Sequence, residues 1–84
     1  MKVARLYTAP WCEPCKAMKP TFTALMDDLG ITFEIVDVNE DPQRAGQDRI
    51  LSVPTLTVSE DGRVIGRASG GLTREQIIKV LEGE

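Results

Sequence analysis

The spacing of hydrophobic residues predicts strands and helices in alternation along the chain. An apolar run over Val3–Thr8 is typical of a β-strand and stops at Ala9-Pro10. Ile31–Val38 is rich in β-branched residues and predicts a second strand, which we expect to be buried on both faces. Between these strands, apolar residues recur at helical spacing, which puts them on one face of a helix that ends at Gly30: Met18, Phe22, Leu25, Met26 and Leu29.

The middle of the chain predicts a short helix followed by a hairpin. Asp41-Pro42 combines an N-cap residue with a proline suited to the first helical turn, and we expect this helix to continue to about Leu51. Thr55–Ser59 and Arg63–Arg67 have the composition of strands, and Asp61-Gly62 between them is a typical hairpin turn.

A third helix completes the predicted order of elements. Thr73-Arg74-Glu75-Gln76 has the sequence of a capping box, and the helix after it would bury Ile77, Ile78 and Leu81. The order is therefore β-α-β-α-β-β-α. Strands joined through a helix are usually parallel and strands of a hairpin are antiparallel, so we expect an α/β fold with a mixed four-stranded sheet between helices.

The composition is that of one small domain. The 84 residues suffice for a single modest core, which we assign to residues 1–84. The net charge of −3 and the lack of a basic stripe argue against binding to nucleic acid. No apolar run has the length of a membrane span, and Arg5 interrupts the start of the chain where a secretory signal would be apolar. We therefore expect a cytoplasmic protein that does not associate with membranes.

The only two cysteines lie in the run Trp11-Cys12-Glu13-Pro14-Cys15, between a predicted strand and a predicted helix. A C-x-x-C pair at such a junction is typical of a redox motif that alternates between disulfide and dithiol. Cys12 would lie at the helix N-terminus, where unpaired backbone N–H groups and the helix dipole favour the nucleophilic thiolate. Cys15 returns to the same side within the first turn, where it can attack a mixed disulfide formed at Cys12.

Three other residues bear on this motif. Pro14 fits the first helical turn, where its missing N–H costs nothing. Trp11 would give a partner chain an amphipathic surface beside the sulfur, or else be an ordinary core residue. Pro54, in Val53-Pro54-Thr55, precedes a predicted strand, and the local sequence alone favours a trans peptide bond before it.

From about Val3 to Leu81 the chain resembles the thioredoxin family. The residues that match are Trp11-Cys12-x-Pro14-Cys15-Lys16, Pro20, Val53-Pro54-Thr55, Asp61-Gly62 and Gly70. The resemblance implies a thioredoxin-like fold, a cis peptide bond before Pro54, and a substrate groove beside the sulfurs formed by Trp11, Pro14, Val53, Pro54 and Gly70. It also implies that no cofactor is bound beyond a redox-active Cys12–Cys15 disulfide, and that an NADPH-dependent flavoprotein like thioredoxin reductase restores the dithiol.

The chain departs from the pattern of that family in three respects. It lacks the first strand and helix of full-length members. Leu6 and Ile35 align with a buried aspartate and a nearby lysine, so neither position can ionise here. Glu13 replaces a glycine, and we expect Glu13 and Lys16 to modulate the reactivity of the neighbouring thiols.

Three alternative functions remain open from the sequence. One is an interaction module that uses the groove around Trp11 and Pro54 without redox turnover. Glutaredoxin has a similar length, and Lys16 and Arg49 could bind the carboxylates of glutathione, but Thr73 stands where an acidic partner for its amine is often found. One C-x-x-C supplies two metal ligands and the chain has no histidine, so zinc or an iron–sulfur cluster would need the cysteines of two chains.

The function that the sequence favours is thiol–disulfide exchange. In this interpretation Cys12 attacks a disulfide of a client protein and Cys15 resolves the intermediate. We expect a monomer whose partners are client proteins and a flavoprotein reductase.

Overall fold

The computed structural model describes residues 1–83, and within that range the elements follow the predicted order. The strands and helices are β1 (Lys2–Thr8), α1 (Glu13–Leu29), β2 (Thr32–Asp37), α2 (Pro42–Gln47), β3 (Thr55–Glu60), β4 (Arg63–Ser69) and α3 (Arg74–Leu81). The prediction of a βαβαββα fold is therefore confirmed. No helix among these residues is long and apolar enough to cross a membrane.

The four strands form one mixed sheet in the order β2-β1-β3-β4. β1 runs parallel to β2 and antiparallel to β3, and β3 pairs with β4 as an antiparallel hairpin. Asp61 and Gly62 at the hairpin turn both have positive φ, 52° and 87°, which is what the favoured two-residue turn requires. β1 is thus a central strand, and its carboxyl end leads directly into the cysteine motif.

Helices α1 and α3 pack on one face of the sheet and enclose the main core. This core joins residues of β1, β3 and both helices, and its fully buried members include Leu6, Phe22, Leu25, Leu56 and Ile77. A Cβ atom on Gly66 of β4 would collide with the backbone carbonyl oxygen of Val80, so α3 lies unusually close to that strand.

The other face of the sheet is covered mainly by polar side chains. Tyr7 is fully buried there and its hydroxyl donates to the carboxylate of Asp48. Glu34 accepts from Arg5 Nε at 2.7 Å and from both terminal nitrogens of Arg44. The hydrogen bonds from Arg44, and then the one from Arg5, lower the pKa of Glu34 from 4.5 to about 2.

The prediction that the second strand is buried on both faces is wrong. β2 lies at the edge of the sheet with β1 as its neighbour, and within Thr32–Asp37 Val36 is the buried residue. Ile35 remains 39% exposed. A β-branched run therefore does not distinguish a central strand from an edge strand when few elements cover the sheet.

Three details of the predicted helices also need correction. Helix α2 ends at Gln47 rather than near Leu51, since the chain turns at Asp48 and adopts a left-handed conformation at Arg49, with φ of 56°. Leu29 is 51% exposed, although Gly30 ends α1 in the left-handed conformation as predicted. Val80 is buried in α3 along with Ile77 and Leu81, whereas Ile78 is only partly buried. The capping box between Thr73 and Gln76 is confirmed.

Candidate redox site

The two cysteines form a disulfide at the point where β1 passes into α1. Cys12 is the N-cap of α1 and Cys15 lies in its first turn, with their Cα atoms 5.3 Å apart. The amide of Cys15 donates to Cys12 Sγ at 3.2 Å, so the sulfur satisfies one of the unpaired donors of the helix N-terminus. The amide of Cys12 donates in turn to the carbonyl of Ala9 at 3.2 Å, which fixes the turn that leads into the helix.

The disulfide is set into a small apolar cluster of its own. Ala9, Cys12 and Cys15 form its buried part, and the partly buried Val38 and Val53 pack against them. Cys12 is 4% exposed and Cys15 is 0% exposed. Cys12 is therefore slightly the more accessible of the two residues.

The peptide bond between Val53 and Pro54 is cis. The expectation from the family resemblance is thus confirmed, and the trans bond favoured by local sequence is wrong. Pro54 is buried, and its carbonyl accepts from the amide of Gly70 at 2.8 Å. The hydroxyl of Thr55 donates to the carbonyl of Ser52 at 2.7 Å and lies 2.9 Å from the hydroxyl of Ser69. These bonds join the loop before β3 to the end of β4.

Several of the predicted groove residues contact the disulfide or one another. Val53 packs against the cysteines, and Gly70 is bound to Pro54 through the backbone. Pro14 faces Gly71, where an added Cβ would lie 3.7 Å from the Cβ of Pro14. Trp11 is 67% exposed, which excludes its interpretation as a core residue.

Two opposite charges stand beside Cys12. Lys16 Nζ donates to Glu13 Oε1 at 3.0 Å, and both side chains are largely exposed. Because the ammonium group lies next to the carboxylate, the two opposite charges partly cancel each other's electrostatic field.

Leu6 and Ile35, which align with the buried aspartate and the lysine of the family, differ in their surroundings. Leu6 and Ile35 are direct neighbours in the register of β1 and β2. Leu6 is fully buried in the main core, whereas Ile35 is partly exposed at the sheet edge. The chain therefore has an apolar layer under β1 rather than a buried ion pair.

Sequence reasoning missed part of the surroundings of the site. Val38, Ile50 and Leu51 line a cleft that begins at Trp11 and Val53. The only available signal was the apolar pair Ile50-Leu51, which was assigned to the end of α2 and is instead in a loop. The role of Arg67 was also missed: its guanidinium donates to the backbone carbonyls of Asp48 and Arg49 and so holds the loop after α2. An arginine in an outer strand usually has no role beyond solvation.

The residues considered for the alternative functions have other contacts. Lys16 pairs with Glu13, and the hydroxyl of Thr73 accepts from the amide of Gln76 as the N-cap of α3. Within residues 1–83 there is no group of three or more His, Cys, Asp or Glu side chains that could hold a metal ion. A metal site would thus need ligands from a second chain.

Known proteins resemble this chain over nearly its whole length. The family model described as "Thioredoxin" matches residues 3–83. A thioredoxin from Bacillus subtilis is 37% identical over 77 residues, which cover 89% of this chain and 74% of that protein. A thioredoxin from Chlamydia trachomatis is 34% identical over 76 residues, with coverage of 89% and 74%. Among solved structures, oxidized mitochondrial thioredoxin 3 from Saccharomyces cerevisiae superposes with a TM-score of 0.88 at 30% identity, covering 99% of this chain and 78% of that one.

Proposed function

This chain belongs to the thioredoxin family, and we propose that it reduces disulfides of client proteins through Cys12 and Cys15. The observation that carries the proposal is the Cys12–Cys15 disulfide at the N-terminus of α1, packed against the loop that contains Val53 and cis-Pro54. The redox-active disulfide is itself the reacting group, and thioredoxins carry no bound cofactor.

Cys12 begins the reaction in the reduced protein. The N-terminus of α1 favours its thiolate, which attacks one sulfur of the client disulfide. The client S–S bond breaks, a mixed disulfide forms at Cys12, and the other client sulfur leaves as a thiolate that takes a proton from water. The slight exposure of Cys12, against none for Cys15, supports this assignment.

Cys15 completes the reaction. After losing its proton it attacks Cys12 Sγ, the mixed disulfide breaks, and the second client sulfur leaves as a thiolate that is then protonated. The client has gained two electrons and two protons, and the protein holds the Cys12–Cys15 disulfide. Leu6 is apolar and cannot accept the proton of Cys15, so water is the acceptor we propose.

The residues around the disulfide orient the client chain. Trp11 and Pro14 form one wall of the proposed groove, and Val53, Pro54 and Gly70 form the other. The bond from the Gly70 amide to the Pro54 carbonyl holds the second wall together and supports this role. An extended client segment would lie between the walls with its disulfide above Cys12.

The oxidised protein then needs a reductant. We propose an NADPH-dependent flavoprotein reductase of the type that serves thioredoxins, acting in the cytoplasm, where thiols are kept reduced. We further propose that residues 1–84 act as a single-domain monomer.

A coupled assay tests this function. The protein is supplied with a disulfide-containing client and NADPH, either with a thioredoxin reductase or with glutathione and glutathione reductase. We expect NADPH oxidation that depends on both cysteines in the first system. NADPH oxidation in the second system and not in the first would assign the glutaredoxin function instead. Zinc or iron bound at one ion or cluster per two chains would assign the metal-binding function.

A further inference from the structure

β2 leaves one edge of the sheet open. It pairs with β1 on one side, and no strand within residues 1–83 pairs with its other side. The amide of Val38 donates to the carbonyl of Thr8 in β1 at 2.9 Å. Because parallel strands direct alternate residues to opposite sides, Val36 also faces β1, whereas the N–H and C=O groups of Phe33 and Ile35 point away from it. Phe33 and Ile35 therefore present an unpaired backbone edge to another chain.

Apolar side chains follow this edge on the face of the sheet that carries α1. Ile31 and Phe33 are partly buried against the main core, and Ile35 is 39% exposed. Side chains two residues apart in a strand share a face, so these three form one row. The ring of Phe33 lies edge-on to that of Phe22 in α1, with centroids 5.6 Å apart, which identifies the face. A strand added at this edge would bury more of the row, and such cross-strand contacts stabilise a sheet.

The opposite edge of the sheet is protected against such pairing. β4 carries Arg63 and Arg67, and its pairing with β3 is interrupted by a register shift. Basic side chains and bulges are features by which natural proteins keep edge strands from pairing with other chains. β2 contains no lysine, arginine, proline or glycine, and the charge of Glu34 is already paired with Arg5 and Arg44 on the polar face. β2 is thus the edge that can accept a further strand.

Acidic side chains flank β2 at both ends. Asp27 and Asp28 are exposed in the last turn of α1, which contains no basic residue. Glu40 is exposed beyond the other end, next to the turn that the carboxylate of Asp37 stabilises. These carboxylates and the negative end of the α1 dipole favour a partner that carries lysine or arginine. A second copy of this chain would instead bring acidic groups together at both ends, and each copy has a net charge of −3.

We propose that the open edge of β2 binds an extended segment of a partner protein by antiparallel strand addition. The segment carries one aliphatic residue opposite Phe33 and one opposite Ile35, with a lysine or arginine two positions beyond each. The aliphatic side chains cover the apolar row, and the basic side chains lie beside the acidic groups at the two ends. The interaction involves no thiol chemistry, so it stands apart from the proposed disulfide reduction.

The test uses a seven-residue peptide, blocked at both termini, with lysine at each end, valine at the third and fifth positions and threonine elsewhere. The peptide is added to isotope-labelled protein and followed by NMR. The amides of Phe33 and Ile35 should shift and gain protection from hydrogen exchange, while those of β4 stay unchanged. Glutamate in place of both lysines should weaken binding at least ~3-fold, a difference that shrinks at high salt. The absence of any shift in β2 at millimolar peptide would overturn the proposal.

Two methylated peptides test the backbone pairing itself. In the proposed antiparallel register each valine exchanges both of its backbone hydrogen bonds with Phe33 or Ile35, so the valine amides face β2 and the threonine amides face solvent. Methylation of the two valine amides should abolish binding, whereas methylation of the three threonine amides should preserve most of it. Equal affinities of the two methylated peptides would contradict pairing through the strand edge.

Two protein variants locate the site. Ile35→Lys places a positive charge in the middle of the edge and should weaken binding of the lysine peptide at least ~3-fold. The matched control is Val64→Lys, which changes an exposed β-branched residue of β4 and should bind as the wild type does. Both variants should reduce a client disulfide at the wild-type rate. Unchanged affinity in Ile35→Lys, or an equal loss in Val64→Lys, would contradict the proposal. A dimer that protects the same amides without peptide would identify a second copy as the occupant and would also overturn it.

Discussion

At the scale of single residues, we expect the charged side chains next to Cys12 to affect how readily the disulfide forms. Glu13 opposes the thiolate that the helix N-terminus favours, and Lys16 offsets Glu13 through their 3.0 Å ion pair. A less stable thiolate makes the reduced form less stable and the dithiol a stronger reductant. We therefore predict that the reduction potential depends on the balance between these two exposed charges.

Replacing Glu13 with glycine should make the protein modestly more oxidising. The change removes a negative charge beside Cys12 and leaves Lys16 without its partner, and both effects stabilise the thiolate. Because both groups are solvated, we expect a shift of at most ~20–30 mV that shrinks at high salt. Redox titration against a dithiol buffer measures it, with Lys19→Gly as a control for loss of an α1 charge. A shift toward a more reducing potential would show that Glu13 does not act on Cys12 in this way.

The variant Leu6→Asp tests whether the main core tolerates a carboxylate at position 6. Leu6→Asp would place a carboxylate in the apolar core beside Ile35, which cannot pair with it. We expect a loss of several kcal/mol in the free energy of unfolding at pH 7, as is typical of an unpaired buried charge. The activity of any folded fraction should gain a new pH-dependent step. Unchanged stability together with an unchanged pH profile would mean that position 6 is not buried as described.

At the scale of elements, three pieces of secondary structure bring the site together. The carboxyl end of β1 leads into the motif, α1 provides its N-terminus to the sulfurs, and the loop before β3 brings Val53 against them. The opposite face of the sheet contributes through Arg67 and Tyr7, which anchor the same loop. The polar network of that face therefore also holds the loop that leads to Val53.

The ion pairs of that face make a pH-dependent contribution to stability. The folded-state pKa of Glu34 is lowered from 4.5 to about 2, so its contribution is present above pH 4.5 and is lost as the pH falls toward 2. Glu34→Gln should lower the free energy of unfolding at neutral pH by about 1 kcal/mol, a value reduced for solvent exposure, and by progressively less as the pH falls through about 2. Urea unfolding at several pH values measures this, with the exposed Glu40→Gln as a control. A difference between Glu34→Gln and wild type that stays constant from pH 7 to pH 2 would contradict the role of Glu34.

At the scale of the whole molecule, local sequence patterns predicted where the helices and strands lie better than they predicted which residues are buried. The apolar face of α1, the Asp61-Gly62 turn and the capping box at Thr73 are encoded within a few neighbouring residues, and all are present. The exposure of Ile35 and Leu29 depends on which elements cover them, and that is decided by the fold as a whole.

The features of the site also differ in how far neighbouring residues in the sequence encode them. The spacing of Cys12 and Cys15 identified the redox pair directly, whereas the cis bond before Pro54 was expected only from the family resemblance. The cleft at Leu51 arises because α2 stops at Gln47 and the chain reverses at Arg49. That turn is held by Arg67, a residue 18 positions away in sequence, so no local pattern could reveal it.

The central claim is that Cys12 attacks the client and Cys15 resolves the intermediate, and trapping the intermediate tests it most directly. The variants Cys12→Ser and Cys15→Ser are each incubated with an oxidised client, and covalent adducts are measured by mass spectrometry without reductant. We predict a stable mixed disulfide through Cys12 in Cys15→Ser and no adduct in Cys12→Ser, since the buried Cys15 cannot reach the client. An adduct through Cys15 in Cys12→Ser, with none in Cys15→Ser, would contradict the account.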